Sequence, residues 1–469
     1  MWKKMWQGKW KWLLGAAFLA CGLWMGSLNS SEARPIPLRG IVEGFYGTPW
    51  TQAQRLDMLQ FCAKHNLNAY IYAPKDDPYH RAKWREPYPA EKLAELQELV
   101  KAAKAQNVRF IFAVSPGLDI QFYGYQGMLD RVAMEKKLAA MYALGVRDFA
   151  IFFDDIDNKD GRGQAAFLNW LNDNFVAAHD DVAPLITVPT EYYRQDMEND
   201  GAVKEYTRDF STTLAKNILV LYTGEKVVPD GLSDKDYEAA NDLYGRQLGV
   251  WWNYPVSDYL EAKLALGPVE KLPQHAELPA IFFNPMKHAE LSKISLATGA
   301  DYAQNPAQYV PAKSWQKALK EQYGKLAGDM EQFADHSQHM VVSWAVIGPE
   351  DGARLREMMD GYWQTDYPAL QKKRGERIAR ELQNIAVSID KLQQKLPAKT
   401  LAECQPQLVQ LQRIVQADLL GLAVLAGDDS RQEAFRQAVA EVKAHDEEAR
   451  ISEKTARKFL DELAERFAP

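Results

Sequence analysis

The chain has 469 residues, of which 47% are hydrophobic and 25% charged, a composition typical of a folded globular protein. Its 56 basic and 63 acidic residues leave a formal charge of −7, and no basic block stands out, which argues against a nucleic-acid partner. A small neutral or polar substrate fits this charge balance better.

Residues 1–33 have the pattern of a secretory signal peptide. Four lysines lie within the first eleven residues, an apolar run follows at 13–28, and Ser31 and Ala33 are small residues before a cleavage site. The apolar run is short for a membrane span of about 20 residues. We therefore expect a periplasmic or secreted protein in preference to an anchored one, and Cys21 fits a lipoprotein site only loosely. No other stretch is expected to span a membrane.

Short apolar runs alternate with longer amphipathic ones between residues 39 and 302, which predicts a (β/α)₈ TIM barrel over 34–311. A doubly wound open sheet is the competing topology, disfavoured by eight repeats and by the lack of Gly-x-Gly-x-x-Gly after the first strand. The predicted strands are 40–42, 69–72, 108–114, 148–153, 185–188, 218–222, 248–252 and 280–283.

Helical spacing is clear at 51–65, 90–106, 130–144 and 289–299, with Thr51 and Ser292 near helix starts as candidate caps. From residue 312 the composition shifts to Glu, Gln, Lys, Ala and Leu, which predicts an α-helical bundle region over 312–469. A role of this region in a homodimer or in shaping the leaving-group side of a site is a hypothesis. The helical stretches are 318–333, 351–364, 374–396, 407–421, 431–442 and 455–467.

The cysteine and histidine residues do not have the spacing of a metal site or of a disulfide framework. Only Cys62 and Cys404 remain after the predicted cleavage, in separate predicted regions, and there is no Cys-x-x-Cys or His-x-x-x-His spacing. We expect no metal, no cofactor and no disulfide framework.

Polar residues follow every predicted strand, at the end where TIM-barrel enzymes build their sites. The fourth strand leads directly into Asp154 and Asp155. Two nearby acids do not ionise independently, so one pKa should rise, leaving one acid as a proton donor and the other as an anion, as glycoside hydrolysis requires. A solvated turn, a helix N-cap and a divalent-metal site with Asp157 are the alternatives.

Five segments, in order and with similar spacing over residues 39–306, resemble glycoside hydrolase family 84, which contains protein O-GlcNAcases and bacterial β-N-acetylglucosaminidases. They are GIVEGFYGTPW (40–50), YAPKDD (72–77), SPGLD (115–119), FDDID (153–157) and PTEY (189–192).

The resemblance implies an exo-acting, retaining β-N-acetylglucosaminidase whose substrate supplies the nucleophile, through its 2-acetamido oxygen and an oxazoline intermediate. Asp154 would accept the acetamido N–H, Asp155 would act as general acid and then base, and Tyr192 would steady the oxazoline oxygen. A nucleophile tethered to the sugar ring has a high effective molarity, so the protein needs only to orient it. Partners would be GlcNAc-containing glycans or glycoproteins.

The resemblance also implies sugar-binding residues. Gly44 and Lys75 would hold a ring hydroxyl, Thr223 and Trp251 would line the acetamido pocket, and three further residues would hold hydroxyls and the linkage region. These three are Asn253, Asp258 and Asn284, and helix capping is the alternative role of Asp258.

Two features depart from the family pattern. Val188 stands where animal members have a cysteine, and residues 122–128 resemble an inserted aromatic, glycine-rich loop after the third strand. Either could alter which leaving group is accepted. A catalytically silent sugar-binding protein and a metal-dependent hydrolase are the rival functions.

Overall fold

The computed structural model describes residues 34–365 and 367–467. The predicted signal peptide and Cys21 lie outside the described residues, and they remain predictions.

Eight parallel strands form a closed barrel in which each strand pairs with the next along the chain and the last pairs with the first. The predicted TIM barrel is confirmed, and the open-sheet alternative is wrong. Strands β1 to β8 are Leu38–Glu43, Ala69–Tyr72, Arg109–Val114, Asp148–Phe152, Ile186–Val188, Leu219–Tyr222, Gly249–Trp252 and Ala280–Phe283.

Side-chain alternation along the strands separates two apolar layers. Val42, Ile71 and Phe152 belong to a cluster inside the barrel, whereas Ile41 and Tyr70 belong to the larger core outside it. A Cβ on Gly40 would lie 2.7 Å from the carbonyl carbon of Ala69, so a side chain there would push β1 away from β2.

Helices alternate with the barrel strands, and of the two candidate caps one is confirmed and one is wrong. Thr51 caps α1 in a capping box with Gln54, as predicted, but Ser292 is not a cap, because α8 begins after His288 and the Ser292 hydroxyl donates to the His288 carbonyl. Helices α1 to α8 are Gln52–Lys64, Ala90–Ala105, Gly124–Ala143, Gly161–Leu171, Arg194–Met197, Glu205–Thr213, Asp234–Tyr244 and Ala289–Gln304.

The segment 122–128 is mostly helical and is not the loop that was predicted. Helix α3 begins at Gly124, so most of the segment forms its first turn, and the predicted start at 130 was six residues late. Exposed apolar side chains on this turn obscured the amphipathic pattern that marks a helix.

A helical region follows the barrel, as predicted, although its boundary at 311 stays a prediction. Helices α9 to α15 are Pro311–Tyr323, Ala327–Ala334, Ala353–Trp363, Pro368–Lys395, Ala398–Leu425, Gln432–Ala444 and Ala456–Arg466. The sequence did not predict the β-hairpin formed by Met340–Val342 and Ala345–Ile347 within this region.

One helix of the described chain, α13, is long and apolar enough to cross a membrane by length and composition, which the sequence analysis overlooked. Of its most apolar window, 56% is buried, and α13 packs against α12, α14 and α15. This packing is that of the central helix of a bundle, so the pattern is weak evidence for a membrane span.

A buried ion-pair network joins the barrel to the helical region. The Lys263 ammonium lies 2.7 Å from Asp351 Oδ2 and 3.0 Å from Glu453 Oε2. The other oxygen of Asp351 accepts hydrogen bonds from the backbone N–H groups of Gln338 and His339, immediately before the hairpin. The network therefore fixes the hairpin relative to the barrel.

Candidate active site

The carboxyl ends of the strands surround a cavity of about 510 Å³. All ten residues predicted for the site line it, so segments spread over 240 positions of sequence converge on one cleft. They are Gly44, Lys75, Asp154, Asp155, Tyr192, Thr223, Trp251, Asn253, Asp258 and Asn284.

Asp154 is a buried carboxylate with its two oxygens in different environments. Its Oδ2 contacts the Lys75 ammonium, which is also buried and enters from the end of β2. Its Oδ1 is buried and has no hydrogen-bond partner among the described residues. A buried polar atom without a partner is rare and costly, so Oδ1 is available to accept a hydrogen bond from a ligand in the cavity.

Asp155 has a different environment, because the chain turns at this residue. Its φ of 55° lies in the left-handed region, which Asp tolerates better than most residues. Asp155 is consequently exposed to the cleft while Asp154 is buried. The hydroxyls of Tyr46 and Tyr192 donate to its two oxygens at 2.7 and 2.8 Å.

These contacts lower the pKa of Asp155. Although Asp155 is open to the cleft, the surrounding walls partly desolvate its carboxylate, which alone would raise its pKa; the positive charge of Lys75 and the hydrogen bonds from Tyr46 and Tyr192 outweigh this desolvation. The expectation that one of the two acids has a raised pKa is not met at Asp155, whose pKa is lowered. Burial and the nearby carboxylates raise the pKa of both tyrosine hydroxyls, so these keep their protons and act as donors.

Tyr46 is held from several sides. Its backbone N–H donates to Asp258 Oδ2 at 2.8 Å, and its ring lies 5.7 Å from the Lys75 ammonium and 5.5 Å from the Arg81 guanidinium. Asp258 begins a short 3₁₀ helix, but its carboxylate also fixes the Tyr46 loop across the cleft. Burial raises the pKa of Asp258.

The opposite wall is a chain of amide contacts around an indole. Trp251 Nε1 and Asn284 Nδ2 donate to Asn253 Oδ1 at 2.8 and 3.0 Å, and the Gly44 N–H approaches Asn284 Oδ1 at 3.3 Å. A Cβ on Gly44 would lie 2.6 Å from the indole carbon Cη2 of Trp251. Glycine at position 44 thus allows β1 to pass close to the tryptophan.

Thr223 contributes to the shape of the cavity more than to its polarity. Its hydroxyl donates to the Lys226 carbonyl at 2.7 Å, so it closes the loop that carries Val227. Val188, the departure noted in the sequence, lies at the end of β5 and lines the same cavity.

Behind the cleft, buried polar contacts hold the loops that carry Tyr46 and Lys75. Glu43 at the end of β1 is paired with Arg55 of α1 and accepts hydrogen bonds from the Tyr70 hydroxyl and the Trp50 N–H. Asp77 accepts from the hydroxyls of Tyr72 and Tyr88 at 2.7 and 2.9 Å, which fixes the turn after Lys75.

The sequence analysis missed several residues of the cleft. Tyr46 lies within a motif that was identified, but it was given no role. Trp344 comes from the unpredicted hairpin, and its ring centroid lies 5.2 Å from that of Tyr259. A tryptophan between two short runs of β-branched residues was the signal available in the sequence. The missed lining residues are Tyr46, Val227, Val228, Val256, Tyr259 and Trp344.

The Lys75–Asp154 pair generates a stability prediction. Lys75→Met should destabilise the fold by about 3–5 kcal/mol, because it leaves a buried carboxylate without its counterion. Adding Asp154→Asn should recover most of this loss. Lys92→Met is the control, because Lys92 is 53% exposed, its partner Glu95 is also partly exposed, and their ion pair should contribute at most about 1 kcal/mol. Urea unfolding of the four proteins measures the effect, and a double variant less stable than Lys75→Met would contradict the prediction.

Known proteins are similar to this chain in sequence and in fold. A family model described as β-N-acetylglucosaminidase matches residues 39–335, and one described as hyaluronidase post-catalytic domain-like matches residues 354–460. The protein O-GlcNAcases of Mus musculus and Rattus norvegicus are each 32% identical over 277 residues, which is 56% of this chain. The chain spans only 30% of the length of these curated relatives.

Two solved structures extend the match to the helical region. The structure of CpGH84B is 36% identical with a TM-score of 0.86, covering 91% of this chain and 77% of its own. A mutant of the Thermobaculum terrenum O-GlcNAc hydrolase is 28% identical with a TM-score of 0.80, covering 92% of this chain and 95% of its own. Since the family model matches more than half of the chain, the chain belongs to the β-N-acetylglucosaminidase family, glycoside hydrolase family 84.

Proposed function

We propose that the protein hydrolyses terminal β-linked N-acetylglucosamine with retention, using the acetamido group of the substrate as nucleophile. The observation that carries the proposal is the state of Asp154: Lys75 occupies one oxygen, and the other is buried at the cavity without a partner among the described residues. This oxygen can accept a hydrogen bond from the amide N–H of the substrate. Membership of the family supports the activity.

In the first step, Asp154 Oδ1 accepts a hydrogen bond from the acetamido N–H. This contact orients the carbonyl oxygen towards the anomeric carbon. A bond forms between these two atoms as the bond to the leaving-group oxygen breaks. The carboxylate of Asp154 stabilises the positive charge that develops on the amide, and Lys75 holds its other oxygen in place. The indole of Trp251 and the side chain of Val188 give the acetyl group an apolar surface.

Asp155 acts first as the general acid and then as the general base. As a carboxylic acid it donates to the departing oxygen; as a carboxylate it then takes a proton from water, which attacks the anomeric carbon and reopens the oxazoline. Because the pKa of Asp155 is lowered, bound substrate must raise it before Asp155 can donate. Tyr192 provides a route: if its hydroxyl moves from Asp155 to the acetamido oxygen, Asp155 loses a donor and its pKa rises.

The remaining polar residues hold the sugar in this interpretation. Asn253 and Asn284 orient each other, so the remaining N–H of each side-chain amide meets the hydroxyls in a fixed direction. Gly44 offers its carbonyl and Asp258 its second oxygen. The buried, neutralised Lys75–Asp154 pair leaves little attraction for a divalent metal, and the two tyrosines already donate to Asp155.

Export is a separate part of the proposal, supported by the lysine-rich start and the apolar run at 13–28. Determining the N-terminal residue of the protein from its native cells tests it. A chain beginning near residue 34 supports export, and an intact start in the cytoplasm contradicts it.

The mechanism is tested with aryl β-N-acetylglucosaminides carrying zero to three fluorines on the acetyl group. Rates should fall with each fluorine, because fluorine withdraws electrons from the attacking carbonyl oxygen. Asp155→Asn should lower kcat/KM by about 10²–10⁴-fold on poor leaving groups and far less on good ones, whereas Asp154→Asn should be slow on all of them. A flat response to fluorine, or equal cleavage of plain β-glucosides, would contradict the proposal.

A pH prediction follows from the tyrosine contacts. Tyr46→Phe removes a hydrogen bond that lowers the pKa of Asp155, so that pKa should rise. On a substrate with a poor leaving group, the limb of kcat/KM that falls as Asp155 loses its proton should then move to higher pH. Tyr142→Phe is the matched control, because it removes a 2.9 Å hydroxyl–carboxylate bond to Asp181 away from the cavity. A limb that stays in place or moves to lower pH in Tyr46→Phe contradicts the assignment.

A further inference from the structure

Exposed apolar side chains are concentrated beside the cleft. Among the described residues, 13 large hydrophobic side chains are exposed, and six of them lie within the fifteen positions 118–132. We name these six the rim surface: Leu118, Tyr123, Tyr125, Met128, Leu129 and Val132. Contiguous exposed apolar surface of this kind marks an interaction site more often than chance exposure.

Helix α3 explains why these side chains form one surface. Tyr125, Met128, Leu129 and Val132 are spaced i, i+3, i+4 and i+7, so they share one face of the helix. The opposite face, which includes Met134 and Leu138, is already buried against the barrel. Tyr125 is 73% and Met128 52% exposed, so nothing in the described chain covers the outer face.

The rim surface is continuous with the loop that leaves the catalytic pair. Gly117, one residue before the surface, lies against the Ile156 side chain, where an added Cβ would come within 2.7 Å of Cδ1. The Tyr123 hydroxyl lies 3.2 Å from Asp160 Oδ1. The segment from Asp155 to Asp160 therefore runs from the mouth of the cleft directly to the rim surface.

We propose that the rim surface docks the polypeptide that carries the N-acetylglucosamine, through apolar side chains near the glycosylated residue. The inference rests on the proposed function: if Asp155 protonates the leaving oxygen, the leaving group exits beside Asp155 and passes over residues 156–160. Four of the six side chains are aliphatic or thioether groups, with few hydrogen-bonding atoms. Such a surface suits apolar peptide side chains, whereas a glycan would need a denser set of polar groups.

The test compares three substrates. One is a small aryl β-N-acetylglucosaminide, the second a glycopeptide with GlcNAc on a serine flanked by Leu, Val and Phe, and the third the same glycopeptide with Gln and Ser flanks. The variant is Tyr125→Ser/Met128→Ser. The control is Tyr367→Ser/Val387→Ser, whose side chains are 77% and 52% exposed on the helical region.

The wild type should prefer the apolar-flanked glycopeptide to the polar one. The rim variant should lose about fivefold in kcat/KM on the apolar glycopeptide, equivalent to ~1 kcal/mol, and should keep wild-type rates on the aryl substrate, as should the control on all three. Equal losses on the aryl substrate, no preference in the wild type, or no loss in the variant would each overturn the proposal.

Light scattering on the same proteins tests a second copy of the chain as the occupant. A wild type that is dimeric and becomes monomeric only in the rim variant would overturn peptide docking. A wild type inactive on the aryl substrate would instead contradict the proposed function itself, so the two failures are distinguishable.

Discussion

The buried contact between Lys75 and Asp154 is the interaction on which the rest of the cleft depends. Burying a carboxylate is costly unless a counterion accompanies it. The ammonium from the end of β2 pairs with one oxygen of Asp154, which leaves a single acceptor directed at the cavity. The barrel makes this possible by bringing two strands, 79 positions apart at these residues, to the same rim.

The neighbouring acid has a different chemistry because the backbone turns between the two residues. The left-handed conformation of Asp155 takes its carboxylate out of the Lys75 contact and into reach of two tyrosine hydroxyls. One acid is thus held in place by a lysine, and the pKa of the other depends on hydrogen bonds that a ligand can replace. Division of labour between adjacent identical residues comes from environment, as in other carboxylate pairs.

Much of this arrangement could be predicted from sequence. The pattern of apolar residues identified all eight strands to within two residues at either end. Ten residues that line the cavity were identified from the family motifs and from the rule that TIM-barrel sites follow the strand ends. The features that were not predicted depend on residues that are distant in sequence. The pKa of Asp155 is set by the Lys75 ammonium and by two tyrosine hydroxyls, which only folding brings near it. The start of α3 was missed because an apolar face that helps to mark a helix is here turned to solvent, and Trp344 lies on a hairpin inside an otherwise helical region.

Trp344 makes the region after the barrel part of the cleft. Lys263 of the barrel forms ion pairs with Asp351 and Glu453, and these contacts fix the hairpin that carries the tryptophan against the barrel. A chain cut at residue 311 would retain each charged side chain described for the chemistry and yet lack one wall of its substrate chamber. The cavity is therefore complete only when the barrel and the helical region fold against each other, so unfolding of the second would open the first to solvent on the side of Trp344.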